Sequence, residues 1–395
     1  MKVLHVTPAF YPATNWGGFS HSVPGLCDAL AHHSDSHLKV LTTDSDGPKT
    51  RRRISVPAFP TRFPAGYEVY YCRRLWGQSI SPGLLRHLWS MARWADVVHL
   101  TATYSFPTIP TLFVCRILGK PVVWSPRGAL QRWQGTTRER AKSVWEKVCN
   151  GLCDPKRVVL HFTSEEEKNE SWPRIQRAQA KVIHNGIDLP DLNDGPNKRN
   201  GHLRLLYLGR LHPIKGIENL LQALTRIKSD VTLSVCGDGE PSYRQSLESL
   251  VSELSLDRRV TFRGTIDEAT KGRQFHEADL CVVPSFKENF SMVVAESLSH
   301  GVPVIVGDGT PWKQVDGKGC GRCVPNSPEE LAKAIDSLSE SPLGEMGLRG
   351  RSWMQREFGW DVVAREMLAT YGGLIECQKN GSALPLAVAS QLHEQ

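Results

Sequence analysis

No stretch of the 395-residue chain holds about 18 consecutive apolar residues, which excludes a membrane-spanning helix. The pattern G-x-G-x-x-G is absent from the first strand–loop–helix unit, which removes a dinucleotide site of that type. The ten cysteines sit singly in apolar segments, so no disulfide framework is expected. Cys320-Gly-Arg-Cys323 has C-x2-C spacing without a second pair near it, and Cys149 and Cys153 form only C-x3-C. Neither redox chemistry nor a metal is expected on that basis. No nucleic-acid-binding module is recognisable. Acidic residues are scarce in the first half. Residues 1–190 carry 25 Lys+Arg against 14 Asp+Glu, a balance of +11, while the remainder carries 23 against 27, or −4, which sums to the net +7. A basic first half suits an anionic acceptor or a phospholipid surface; an ordinary solvated face is the plain alternative. Met1-Lys2 runs straight into an apolar strand with no leader ahead of it, so a cytoplasmic protein is expected, with room for a peripheral position at the inner face of a membrane.

What is present is an alternation of short apolar strands and amphipathic helices, the signature of α/β parallel sheets covered by helices. A chain of this length predicts two domains. Residues 1–189 read as one Rossmann-like domain and 202–355 as a second, joined by a polar Asp-, Asn-, Pro- and Gly-rich linker at 190–201. A helix over 356–379 is expected to pack back on the first domain, and 380–395 to form a frayed tail. Ser20 or Ser22 is expected to cap the first helix.

Four loops of the second half follow strands and so lie at the carboxyl edge of a sheet, where open α/β folds bind ligands. They hold Arg210 with Lys215, Gly237 with Gly239, Arg263 with Gly264, and the run Ser285–Ser291. The last ends at a helix start, whose free N–H groups suit an anion. Two cations, a helix terminus and glycines that permit close backbone approach are the equipment for a nucleotide diphosphate. Glu288 on the loop is suited to accept hydrogen bonds from a neutral polyol, and Glu296 follows about two turns into the helix. Each charge taken singly also reads as ordinary solvated surface. In the first half, Trp16-Gly17-Gly18 lies in a strand-to-helix loop, His99 lies near the end of the strand Asp96–Leu100, and Arg127 stands at another strand's carboxyl end, where a cation could meet a phosphate. A hydrogen-bonded core histidine is the alternative for His99.

These residues together resemble the retaining GT-B glycosyltransferases of family 4. The marks are Gly209-Arg210-x4-Lys215-Gly216, Cys236-Gly-Asp-Gly239, Pro284-Ser285-x2-Glu288-x7-Glu296 and Gly301-x-Pro303-Val304. The first half adds Gly17-Gly18, Asp96-Val-Val-His99, Ser125-Pro-Arg-Gly128 and Asn185-Gly-Ile-Asp188. Thr310-Pro-Trp312 and Phe358-Gly-Trp360 resemble members that build bacterial surface polysaccharides. The resemblance implies two Rossmann-like domains facing each other across a cleft and transfer of a sugar, with retention, from a UDP- or GDP-sugar to a saccharide or lipid-linked acceptor. The nucleotide sugar is a co-substrate, and no cofactor or metal is implied. Arg210 and Lys215 would hold the diphosphate, Glu288 the sugar hydroxyls and Glu296 the ribose. Asn289, Phe290 and Ser291 would offer backbone N–H groups to the phosphates, Gly17 and Gly18 would face the diphosphate, and the loops of Gly237, Gly239 and Arg263 could read the base. Arg127 or His99 would meet the sugar or acceptor. Where Ser291 stands the family often has glycine. A sugar-nucleotide epimerase or hydrolase on the same architecture is the competing enzyme, and a binding scaffold without turnover the competing non-enzyme.

Overall fold

A computed structural model of the protein describes residues 1–13, 16, 19–33, 36–48, 50, 52–56, 59–132, 136–191 and 202–380. Two compact units divide the chain: Met1–Gly186 together with the segment from Trp360 onward, and Ile187–Gly359. The first boundary thus falls after Gly186 and the return to the first unit begins at Trp360. The linker expected at 190–201 lies mostly, and the tail from 381 wholly, outside the described residues, as do Gly17 and Gly18.

The first unit contains strands β1 (Lys2–Val6), β2 (His37–Thr43), β3 (Thr61–Arg62), β4 (Glu68–Cys72), β5 (Val97–Thr101), β6 (Val122–Ser125), β7 (Val158–Phe162) and β8 (Gln179–Val182). Its helices in this part of the chain are α1 (Phe19–His32), α2 (Pro82–Trp94), α3 (Thr108–Leu118), α4 (Glu139–Leu152) and α5 (Glu165–Ser171). Among the described residues the strands form one sheet in the order β3-β4-β2-β1-β5-β6-β7-β8, parallel except for the β3–β4 pair. Every residue of β5 and β7 is buried, as a sheet covered on both faces requires. Alternate strand residues serve different layers. Leu4, Val98, Val122 and Leu160 pack with α2, α3 and α4, whereas Val3, Val97, Val123 and Val159 pack with α1 and the C-terminal helix. Helix starts are chemically explicit: the side chain of Ser81 accepts from the Leu84 N–H with Pro82 at the first position, and that of Ser164 accepts from the Glu167 N–H. Gly119 ends α3 at φ +64°. The first helix corrects one expectation. It begins at Phe19, so Ser20 and Ser22 lie inside it and neither is its cap.

The second unit contains β9 (Leu203–Leu208), β10 (Val231–Cys236), β11 (Val260–Gly264), β12 (Leu280–Val283), β13 (Val304–Gly307) and β14 (Gly321–Val324). Its helices are α6 (Ile217–Leu224), α7 (Pro241–Glu253), α8 (Glu268–Glu277), α9 (Met292–Ser299), α10 (Pro328–Ser339) and α11 (Leu343–Glu357). The six strands are parallel in the order β11-β10-β9-β12-β13-β14. The chain then returns to the first unit as α12 (Trp360–Asn380), which packs along α1. α11 was not foreseen. It contains Gly347 and Gly350, which weaken an isolated helix, but both have packing reasons. A Cβ on Gly347 would lie 1.8 Å from the Gly301 carbonyl oxygen, and one on Gly350 would lie 2.7 Å from Leu298 Cδ2. α11 therefore closes tightly on the end of α9, the helix that begins at the candidate site.

Candidate active site

The order of the second sheet decides which loops meet. β9 lies between β10 and β12, so the loops after these three strands are neighbours although they are far apart in sequence. Hydrogen bonds continue past the strands and stitch the loops together. Gly209 N donates to Cys236 O at 2.9 Å, Leu211 N to Asp238 O at 3.0 Å, Gly237 N to Gly264 O at 2.8 Å and Phe286 N to Ile214 O at 2.9 Å. The glycines make this stitching possible. A Cβ on Gly237, whose φ is +133°, would sit 1.9 Å from the Gly209 carbonyl oxygen, and one on Gly239 would sit 2.1 Å from that of Leu211. Close backbone approach at Gly237 and Gly239 is therefore to the neighbouring protein loop, a different use from the ligand approach that the sequence suggested.

Gly216 has the same character. At φ +65° its missing Cβ leaves room for the Pro284 carbonyl oxygen, 2.3 Å from where that atom would be. The turn Pro213–Lys215 is thus pressed against the β12 loop. Lys215 Nζ reaches Glu288 Oε1 at 2.5 Å, and Ser285 Oγ donates to the same oxygen at 2.8 Å. Lys215 and Glu288 are both mostly withdrawn from water, with side chains 21% and 12% exposed. Arg210 and Arg263 are exposed on the same loop edge. Asn326, which sequence reading missed, donates its Nδ2 to Pro284 O and bolts the loop from the other side.

Ser291 occupies the N-cap of α9 at φ +67°, the left-handed region, and its side chain makes no capping hydrogen bond. Glycine reaches this region without strain, which is the backbone reason for the glycine that the resemblance implies at this place. One residue earlier, Phe290 is buried in an aromatic cluster with Trp312, Trp353 and Phe358. Trp312 Nε1 donates to the Phe290 carbonyl oxygen. A trans peptide directs its C=O and N–H to opposite sides. Fixing the Phe290 carbonyl on Trp312 therefore turns the Ser291 N–H away from the core. Trp312→Phe is expected to cost about 1–3 kcal/mol of stability, because it strands a buried carbonyl. Urea unfolding checks this; an unchanged midpoint would mean that the bond contributes nothing.

Glu296 lies within α9 and is paired with Lys271 of α8 at 2.9 Å; Lys271 also binds Glu268 at 2.8 Å. The two glutamates of the E-x7-E spacing thus have separate cationic partners. Lys271 carried no signal in the sequence, because nothing local marks a helix lysine as the partner of a carboxylate 25 residues away.

In the first unit, Arg127 follows β6 at φ +55° and donates Nη1–H to the Asn185 side-chain oxygen. Its Nε is buried and has no hydrogen-bond partner among the described residues. The turn beneath it is held by buried Glu167, which accepts from Gly128 N at 2.5 Å and Thr163 N at 2.7 Å. Burial pushes the Arg127 pKa down to about 10. Two sequence marks, Ser125–Gly128 and Asn185–Asp188, therefore meet through one guanidinium contact.

His99 is fully buried behind this turn. Its ring stacks on His5 at 4.4 Å and meets His161 edge-on at 6.0 Å. The hydrogen bonds fix the tautomers. Ile183 O can only accept, so His161 Nε2 carries a proton across 2.8 Å. His161 Nδ1 then accepts from Ser125 Oγ at 2.7 Å, Ser125 Oγ accepts from His99 Nε2 at 2.7 Å, and His99 Nδ1 accepts from the Tyr371 hydroxyl at 2.5 Å. Both ring nitrogens of His99 are occupied, which corrects its reading as a sugar or acceptor contact: it is a core histidine. Burial, reinforced by Arg127, lowers the pKa of His5 and of His161 to about 3; burial also drives that of His99 well below the ordinary value.

Residues 202–341, all within the second unit, match the family described as Glycosyl transferases group 1. Over 94% of its length the chain is 28% identical to an uncharacterized glycosyltransferase of Methanocaldococcus jannaschii, of which it covers 98%. It is 27% identical over 231 residues to a D-inositol 3-phosphate glycosyltransferase of Mycobacterium marinum, a match over 54% of this chain that spans about half, 49%, of that relative. Among solved structures, Anabaena HepE in complex with UDP aligns with a TM-score of 0.72 at 18% identity, covering 94% of this chain and 100% of the other. A likeness at that identity shows the fold: Rossmann-like parallel-sheet α/β domains with GT-B glycosyltransferases as structural neighbours. The sequence relatives support a glycosyltransferase enzyme.

Proposed function

From a second unit that matches the group 1 glycosyl transferases, we propose that this chain is a retaining, family-4-type hexosyltransferase. It moves a sugar from a UDP- or GDP-sugar to a saccharide or lipid-linked saccharide, in the synthesis of a surface polysaccharide or glycolipid. The observation that carries this reading is the Lys215–Glu288–Ser285 contact on the loop edge beside the start of α9. A bare carboxylate there would repel a diphosphate. Paired with Lys215, Glu288 keeps lone pairs for sugar hydroxyls while its charge is balanced. Arg210 and Lys215 then act on the negative charge that grows on the departing diphosphate, as do the outward amide of Ser291 and those of Asn289 and Phe290. Fixed donors aimed at developing charge accelerate departure without needing a protein nucleophile.

Glu296 is assigned to the ribose hydroxyls, with Lys271 holding its carboxylate in place. The loops of Gly237, Gly239 and Arg263 would border the base. Gly17 and Gly18 are assigned to the diphosphate and Arg127 to the sugar or acceptor. The reaction needs no metal in this scheme. The protein works in the cytoplasm, with its first unit in contact with an anionic membrane when the acceptor is lipid-linked.

A thermal-shift panel of nucleotide sugars tests the proposal. A UDP- or GDP-sugar is expected to raise Tm, since ligand at 100 times Kd stabilises by about 2.7 kcal/mol. Indifference to every nucleotide sugar would remove the donor. Donor consumed without any acceptor would favour an epimerase or hydrolase instead.

A further inference from the structure

Three helices cover one face of the first sheet, and their outer surface has an unusual composition. α2 packs beside α3, and α3 beside α4. Each turns a buried stripe to the strands: Leu84, Leu88 and Met91 on α2, Leu112 and Cys115 on α3, and Cys149 on α4. A helix covering a sheet needs only that one apolar stripe, and its other side is ordinarily polar. Here each helix carries a second apolar pair on its solvent side, spaced i, i+4. The pairs are Leu85 and Trp89, Phe113 and Ile117, and Val144 and Val148, all between 42% and 62% exposed. Single exposed apolar residues are commonplace, but matched pairs on three adjacent helices mark an interaction surface.

The charge on the same helices is one-sided. Arg86 and Arg93 of α2, Arg116 of α3, and Arg140 and Lys147 of α4 are exposed, whereas α2 and α3 contain no acidic residue and Glu139 is the one exposed acid of α4. Apolar side chains interleaved with cations, on helices of which none is long and apolar enough to cross a membrane, are the chemistry of an interfacial surface. Trp89 is of the residue type that settles at the headgroup level.

We infer that the outer face of α2, α3 and α4 is a docking surface for an anionic lipid bilayer. Charge complementarity selects this occupant. A second copy of the chain using the same face would bring five cations against five like charges, because a two-fold interface pairs a patch with itself. A bilayer with anionic headgroups meets the cations with opposite charge and accepts the apolar pairs beneath. The inference deepens the lipid-facing part of the proposed function by naming the surface that would hold the enzyme to the bilayer. It needs no donor, so the two readings can fail separately.

Sedimentation with vesicles is the test. The protein is expected to pellet with phosphatidylcholine vesicles containing phosphatidylglycerol, to be released by high salt, and to stay in solution with phosphatidylcholine alone. Arg86→Gln with Arg93→Gln is expected to weaken binding about thirtyfold, from roughly 1 kcal/mol per surface cation. Trp89→Glu with Phe113→Glu is expected to abolish it, with Tm and the nucleotide-induced shift unchanged. Equal pelleting with both vesicle types, or none with either, overturns the inference. So does a concentration-dependent dimer that Trp89→Glu converts to monomer while vesicles pull down nothing, which would assign the face to a second copy.

Discussion

Replacing Lys215 with alanine is expected to lower kcat by about a hundred- to a thousandfold, the usual cost of removing one fixed donor from developing negative charge. KM for the donor should change far less. In the proposed scheme Lys215 has two tasks. Its ammonium stabilises the departing diphosphate, and its contact with Glu288 neutralises the carboxylate beside that diphosphate. Removing it takes away the first contribution and leaves Glu288 held by Ser285 Oγ with its negative charge uncompensated, which adds repulsion in the transition state. Lys215→Arg should recover part of the loss, since charge is kept while the short reach to Glu288 Oε1 is altered. Steady-state kinetics with a nucleotide sugar and acceptor measure both variants. Wild-type turnover in Lys215→Ala would end the assignment.

Acidification to about pH 5.5 is expected to remove ~4 kcal/mol of the stability of the first unit, a large share of the 5–15 kcal/mol that a typical domain possesses. The cause is the buried His5, His99 and His161. An unfolded histidine titrates near 6.5, whereas His5 and His161 are held down to about 3 and His99 well below its ordinary value, chiefly by burial. The unfolded chain therefore binds more protons than the fold. The contribution is complete above about pH 6.5 and is lost as pH falls through that value toward 3. Each histidine accounts for ~1.4 kcal/mol at one pH unit below its unfolded pKa. Buried Glu167 acts in the opposite sense, because burial holds its pKa above the ordinary value, and it offsets part of the loss only in the carboxylate range. Denaturant unfolding across this range, followed as proton uptake, should show a slope near three protons. Constant stability between about pH 7.5 and 5.5 would contradict neutral buried imidazoles.

Local chemistry was legible where it was self-contained. α2 spans Pro82–Trp94 and α3 spans Thr108–Leu118, as their spacing, Pro82 and Gly119 indicate, and β9 spans Leu203–Leu208. Tertiary contacts decided the rest. α6 stops at Leu224, where Arg259 Nη1 donates to the Leu224 carbonyl at 2.9 Å, a contact 35 residues away that local spacing does not contain. α11 stayed hidden because its glycines serve packing against α9 rather than helix propensity. The Lys215–Glu288 contact joins residues 73 apart through the adjacency of β9 and β12, a fact of sheet order that spacing does not contain. His99 misled because a strand histidine reads the same in sequence whether it faces a ligand or, as here in the middle of β5, completes a buried hydrogen-bond chain. Trp312 was visible only as a mark of resemblance, and its grip on the Phe290 carbonyl emerges from the fold.

A crystal structure of the protein soaked with UDP or GDP tests whether Lys215 and the start of α9 hold the diphosphate. The expected result is a diphosphate within hydrogen-bonding distance of Lys215 Nζ and the Ser291 amide, with Arg210 turned onto it and the Glu296 carboxylate on the ribose. A nucleotide bound with its phosphates away from both Lys215 and the start of α9 would contradict it.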